Sequence, residues 1–216
     1  MNILRILIFV TLFCNGSCSN RPTSEESGYF EGIVTYKGDF IRKTDEYDSA
    51  TLASLAGGRT TLYAKEGNYL TEIEEGITTR MLYRKDENKA YRETFDSDSV
   101  YWAYCDGPRR KIINFVVNKN VEKILDIECD EFKVFYENRT VTYYYNSDTL
   151  KINPDWAKKS TSFNEDFYAR RMKAIWLKIV IEYKDFVVSN TAIKIVPQRI
   201  TNSIFEIPDK PLAEEK

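Results

Sequence analysis

The chain has no histidine among its 216 residues. That removes the commonest general base, the Ser-His and Cys-His nucleophile systems and most zinc sites. Carboxylate-only chemistry stays open, but no acidic pair stands out from the solvated background. No enzyme, catalytic residue, metal or cofactor is therefore expected. A basic excess is also missing: Lys+Arg number 31 against 33 Asp+Glu, for a net charge of −2, which argues against a nucleic-acid binder. No apolar run approaches the ~20 residues needed to cross a bilayer as a helix. There is no internal repeat and no strand–helix alternation, so a parallel sheet is not expected.

What is present begins with a short leader. Arg5 supplies a charged start, Ile6 to Phe13 is a brief apolar run, and Asn15-Gly16-Ser17 puts small residues before Cys18. Residues 1–17 read as a signal peptide, and a leader ending on cysteine suggests a bacterial lipoprotein acylated on that cysteine. Cys14 competes for the lipid, but it follows Leu12-Phe13, and bulky Phe suits a signal peptidase poorly. Asn15 stands where such signals usually carry Leu. Cysteine arithmetic favours Cys18: Cys14 then leaves with the leader and two thiols remain. A secreted protein with an incidental cysteine is the alternative. Residues 18–28 are polar, with Pro22 and Glu25-Glu26, and read as a tether. Residues 29–210 form a single domain and 211–216 a tail.

Within the domain, short runs rich in Tyr, Thr, Val and Ile alternate polar and apolar positions, which favours strands. The first covers 29–40. A helix is expected over 45–56, capped by Asp45 and ended by Gly57-Gly58. A meander follows over 59–65, 68–74, 77–84, 88–94 and 99–105. Further strands fall at 111–118, 121–127, 129–137 and 139–146. Residues 154–173 are helical, started by Asn153-Pro154 and either continuous or split at Ser160-Thr161-Ser162. Strands over 174–183 and 186–200 close the chain, and 204–208 docks the end. The expected fold is mainly β: about ten or eleven antiparallel strands in a strongly curved sheet or unclosed half-barrel, with two helical segments over its concave side.

Dense aromatic strands supply the candidate ligand residues. Trp102 and Tyr104 share one face, Tyr143 and Tyr145 another, and Trp176 opens a late strand; such side chains line apolar pockets or pack a sheet. Cys105 and Cys129 each end or begin a strand. In an oxidising envelope two remaining thiols usually pair, and closing about two dozen residues would contribute roughly 3 kcal/mol. Two separate buried thiols are the other reading. Arg109-Arg110-Lys111 and Arg170-Arg171 read as solvated charge or lipid-headgroup contacts.

Several segments resemble a group of envelope lipoproteins of unknown function. They are Phe30-Glu31-Gly32-Ile33-Val34-Thr35-Tyr36, Lys123 to Cys129, Tyr145 to Pro154 with Trp176-Leu177-Lys178-Ile179, and Asn202 to Pro208. These proteins are similar in outline to the outer-membrane lipoprotein carrier (LolA/LolB-like) fold. The resemblance implies a curved, unclosed sheet with helices over its concave side and a cavity for acyl chains. It carries over no ligand residue. The expected function is that of a non-enzymatic lipoprotein. It is attached to a Gram-negative outer membrane through the lipid on Cys18 and binds a hydrophobic or amphipathic ligand. An envelope protein–protein or glycan interaction module with a packed core is the alternative.

Overall fold

A computed structural model of the protein describes residues 28–215. The leader, Cys14, the lipidation candidate Cys18 and all of the tether but Gly28 lie outside the described residues.

Twelve strands form one sheet. In chain order they are β1 (Gly32–Arg42), β2 (Arg59–Lys65), β3 (Asn68–Ile73), β4 (Thr78–Arg84), β5 (Lys89–Thr94), β6 (Val100–Tyr104), β7 (Asn114–Ile124), β8 (Ile127–Phe135), β9 (Arg139–Tyr145), β10 (Trp176–Tyr183), β11 (Phe186–Pro197) and β12 (Leu212–Glu214). Their spatial order is β12-β6-β5-β4-β3-β2-β1-β11-β10-β9-β8-β7. Every pairing is antiparallel except β12 with β6. The sheet is unclosed, with β12 and β7 at its edges, as the sequence pattern implied.

Three details differ from the sequence reading. The strands expected over 111–118 and 121–127 are one strand, β7, whose register slips between Asn118 and Glu122. Such an irregularity bends a strand without ending it. The first helix, α1 (Ser49–Ala56), is capped not by Asp45 but by Asp48, whose side chain accepts from the Thr51 N–H at 2.7 Å. Residues 212–214 of the expected tail pair with β6.

The second helical stretch is two pieces: a 3-10 turn (Pro154–Ala157) and α2 (Glu165–Met172). This segment shows how strongly the sheet curls. Thr161 and Ser162 donate their N–H groups to the Cys105 carbonyl just beyond β6, while the Tyr168 ring lies 4.9 Å from that of Tyr143 on β9. Eight strand spacings separate β6 from β9, about 38 Å in a flat sheet at roughly 4.8 Å each. Residues 161–168 span at most ~23 Å fully extended, and less here because the last four are helical. Only a curved sheet brings both arms to one short segment.

Register divides the side chains between two faces. The inner face carries Tyr36, Ala192, Leu177, Phe132, Val134, Val141 and Tyr143, all buried. α1 covers one end of it, where Leu52 and Ala56 pack on Phe186 and Val188. Residues 150–175 cover the other end with Leu150, Ile152, Tyr168, Ala169, Met172 and Ile175. Close approach requires glycine at the far side: a Cβ on Gly67, which also has φ +85°, would lie 2.6 Å from the Trp156 Cβ.

Candidate functional site

The β3–β6 arm reverses this arrangement. Its buried ladder Leu70, Leu82 and Tyr91, with Val100, lies on the outer face, packed beneath Ile200 and Phe205 of the closing segment. The inner-face ladders, Thr71–Met81–Arg92–Tyr101 and Tyr69–Tyr83–Ala90–Ala103, are only half-buried. Met81 is 43% exposed. This less covered stretch of the inner face, the trough, carries Tyr69 and Tyr83, whose rings stack with centroids 6.3 Å apart; Tyr69 packs on the central cluster beside Trp156, and the Tyr83 hydroxyl donates to Asn88 Oδ1 at 3.2 Å.

Across the trough stands the start of α2. Residues 165, 168, 169 and 172 form one helical stripe, and Tyr168, Ala169 and Met172 on it are buried. Glu165 is the charged member of that stripe. Its side chain is exposed; the protein around its carboxyl, with the charge of Asp166, still pushes that group up to about 7. Burial raises the hydroxyls of Tyr69, Tyr83, Tyr143 and Tyr168 and the thiol of Cys105, and the charge of Glu165 adds to each by a smaller amount. Among the described residues no lysine or arginine pairs with it.

Asp166 next door has the opposite fate. It is fully buried, and burial pushes its pKa up. Hydrogen bonds and charge from Arg109 (2.7 Å) and Arg170 outweigh this and hold it below the usual carboxylate value. This pair ties the loop after β6 to α2. Asn164, in the left-handed conformation at φ 62°, gives its amide N–H to the Arg110 carbonyl at 3.0 Å. Its Oδ1 is buried without a donor.

The five aromatic candidates do not share a site. Tyr143, Tyr145 and Trp176 lie on the inner face: Trp176 packs on Tyr36 at 4.4 Å, and Tyr143 packs on Phe132 and Tyr168. Trp102 is on the outer face because it pairs with Tyr91, and Tyr104 shares that face by period two. The Lys89 ammonium sits over both rings, 3.9 and 4.8 Å from their centroids. Counting aromatics per strand could not assign faces across six strands.

The expected Cys105–Cys129 disulfide is absent: both thiols are free and buried. Cys129 packs in the central cluster with Leu150, Ile152 and Leu177, whereas Cys105 lies at the end of β6 beneath residues 160–162. Each thiol fills its own part of the core, and burial raises both to about 11.

Sequence reasoning missed Glu165. Its signal was a carboxylate on the apolar stripe of a helix, visible once α2 has defined limits.

Fold and site together define a class: a half-open antiparallel sheet with a trough on its inner face. No family model and no curated protein matches the chain. Among solved structures it is similar to PNGF-II in two crystal forms, at 12% and 13% identity and a TM-score of 0.47 in both, over 86% of this chain and 32% and 31% of those chains. It spans about a third of their length. It is also similar to the Mycobacterium tuberculosis lipoprotein LppX, at 9% identity and TM-score 0.36, over 79% of this chain and 89% of that one.

Proposed function

We propose that this protein is a non-enzymatic envelope lipoprotein that holds a hydrophobic or amphipathic ligand in the trough between the β3–β6 arm and α2. Cys18 would carry the lipid anchor to a Gram-negative outer membrane, and Ser19 after it, in place of Asp, is compatible with export there. One observation carries the ligand reading. The β3–β6 arm is packed on its outer face and half-open on its inner face, while the rest of the inner face is core. Apolar lining with few polar groups is the usual character of a ligand site, and Tyr69, Met81, Ala90 and Ala103 supply it here. The protein purified from membranes should carry lipid by native mass spectrometry and should bind a fluorescent fatty-acid probe. A ligand-free protein that also ignores the probe would remove this reading.

A second reading has its own observation. Among the described residues β7 is an edge strand, paired only with β8, on which Phe115, Val116, Val117 and Val121 are 39–45% exposed, the form of edge that accepts another strand. An interaction module would use this edge and leave the trough empty.

A further inference from the structure

Among the described residues the two edges of the sheet are finished differently. One ends on β12, three residues long, with Glu215 beside it paired to Arg92. The other ends on β7, eleven residues long and without proline. Natural edge strands are kept short, charged, bulged or covered, because their open backbone groups invite another strand. β7 meets that description only beyond Asn118, where its register on β8 slips and Lys119 pairs with Asp130. The run before the slip, Asn114-Phe115-Val116-Val117-Asn118, is uncharged, exposed along its whole length and in unbroken register with β8. Phe115 and Val117 stand opposite Val134 and Phe132, on the inner face; Asn114, Val116 and Asn118 lie on the outer one. The Phe115 N–H donates to the Asn114 Oδ1 at 2.8 Å, which places it on the open side of β7. By alternation the Val117 N–H lies there too.

We infer that this run pairs with its own copy: two molecules join β7 to β7, antiparallel, about a two-fold axis at Val116, and so form one continuous sheet. This rests on the reading of β7 as an interaction edge and names its partner. A two-fold contact presents one surface to itself, and the run is close to a palindrome in polarity. With the axis at Val116, Asn114 of one molecule meets Asn118 of the other, Phe115 meets Val117, and Val116 meets Val116. Every side chain then finds its like, on its own face of the sheet. Each Phe115–Val117 pair uses the outward N–H and C=O groups of both strands. Neighbouring axes do worse: one at Val117 sets Phe115 against Lys119, and one at Phe115 sets Val116 against Asn114. The slip after Asn118 bends the strand away and confines the pairing to this run. So short a contact belongs to the weak, transient class.

The test follows the chain purified from membranes by native mass spectrometry over a range of concentrations. Dimer should appear as the concentration rises through roughly 10–100 μM, the range of a weak contact. Val117→Pro removes an outward N–H at an edge position of the kind that tolerates proline. It should raise the dimer dissociation constant at least about tenfold, with an unchanged circular dichroism spectrum. Two cysteine variants read the same contact without proline. Diamide, which takes up the hydrogens of two thiols as they join, should link Val116→Cys into a disulfide dimer, because the residues at the axis lie directly opposite. Val121→Cys, on the same strand beyond the slip, should stay at the background of the unaltered chain. A dimer insensitive to Val117→Pro, equal linking at both cysteine positions, or a chain that stays monomeric would overturn the inference. A synthetic peptide of residues 113–119 then separates the two readings. Peptide binding that Val117→Pro abolishes would leave β7 an interaction edge for another partner, and no binding would remove both.

Discussion

The two arms of the sheet face each other and are built oppositely. On the β8–β9 arm the inner face is dense with rings. Phe132 is fully buried, and its centroid lies about 6 Å from those of Phe115 (5.9 Å), Tyr143 (6.3 Å), Phe167 (5.8 Å) and Tyr168 (6.1 Å). On the β3–β6 arm the inner face holds Thr71, Met81, Ala90 and Ala103, and the buried residues are behind it, under Ile200 and Phe205. An antiparallel strand needs only one buried face. Here the choice of face switches along a single sheet, because helices cover one part from inside and the closing segment covers another from outside. Concavity alone therefore does not leave a face open; the inner face is less covered only where it is relieved of its packing role.

The comparison breaks most visibly in stability. Phe132→Ala should cost about 3–5 kcal/mol by loss of packing and formation of a cavity, whereas Met81→Ala across the trough should cost less than about 1 kcal/mol. Urea denaturation measures both, and equal costs would mean that the two inner faces are packed alike.

Next is the tie that holds α2 over the trough. Arg109→Ala with Arg170→Ala leaves Asp166 buried and unpaired, at a cost of about 3 kcal/mol at pH 7. The pH sign separates this from general damage. In the native protein Asp166 titrates below its ordinary value, so its contribution is present above pH ~4 and is lost as pH falls through the folded value. In the double variant burial acts alone, raising the value, and stability should instead recover on acidification. Thermal melts from pH 7 to 3 read the two slopes.

A smaller effect belongs to Glu165. Its folded value near 7 exceeds the unfolded 4.5, so stability from its neutral form is complete below about pH 4.5 and lost as pH rises to 7 and beyond. Such a shift corresponds to roughly 3 kcal/mol if fully expressed. Water reaches the side chain, which screens the effect to about 1 kcal/mol. Glu165→Gln should therefore be more stable than the native protein at pH 8 and equal to it at pH 4, by urea midpoints.

The smallest expected effect is that of reductant. With both described thiols free and pushed to about 11, the melting temperature should not change on reduction. Thiol reagents should label Cys105 and Cys129 only after unfolding. A reductant-sensitive melt would restore the disulfide.

Much of this was legible in the residues. Alternation in segments such as Gly32-Ile33-Val34-Thr35-Tyr36 marks β1. Gly57-Gly58 ends α1, and Pro154 opens the 3-10 turn. The site was much less so. Trp102 and Tyr143 look equivalent as aromatic members of alternating strands, yet they occupy opposite faces, because face is set by register summed over all the strands between them. The cysteine pair failed for the same reason: an even count says nothing of which part of the core each thiol fills.

By itself, the sequence determined the mainly β class, the strand and helix segments and the absence of histidine chemistry, because periodicity and composition are local properties of the chain. Tertiary structure alone decided which face of each arm became core, that Asp166 would meet two arginines while Glu165 met none, and that a trough would remain between them. Those outcomes depend on curvature and on where the closing segment docks, which bring together residues that no local pattern links.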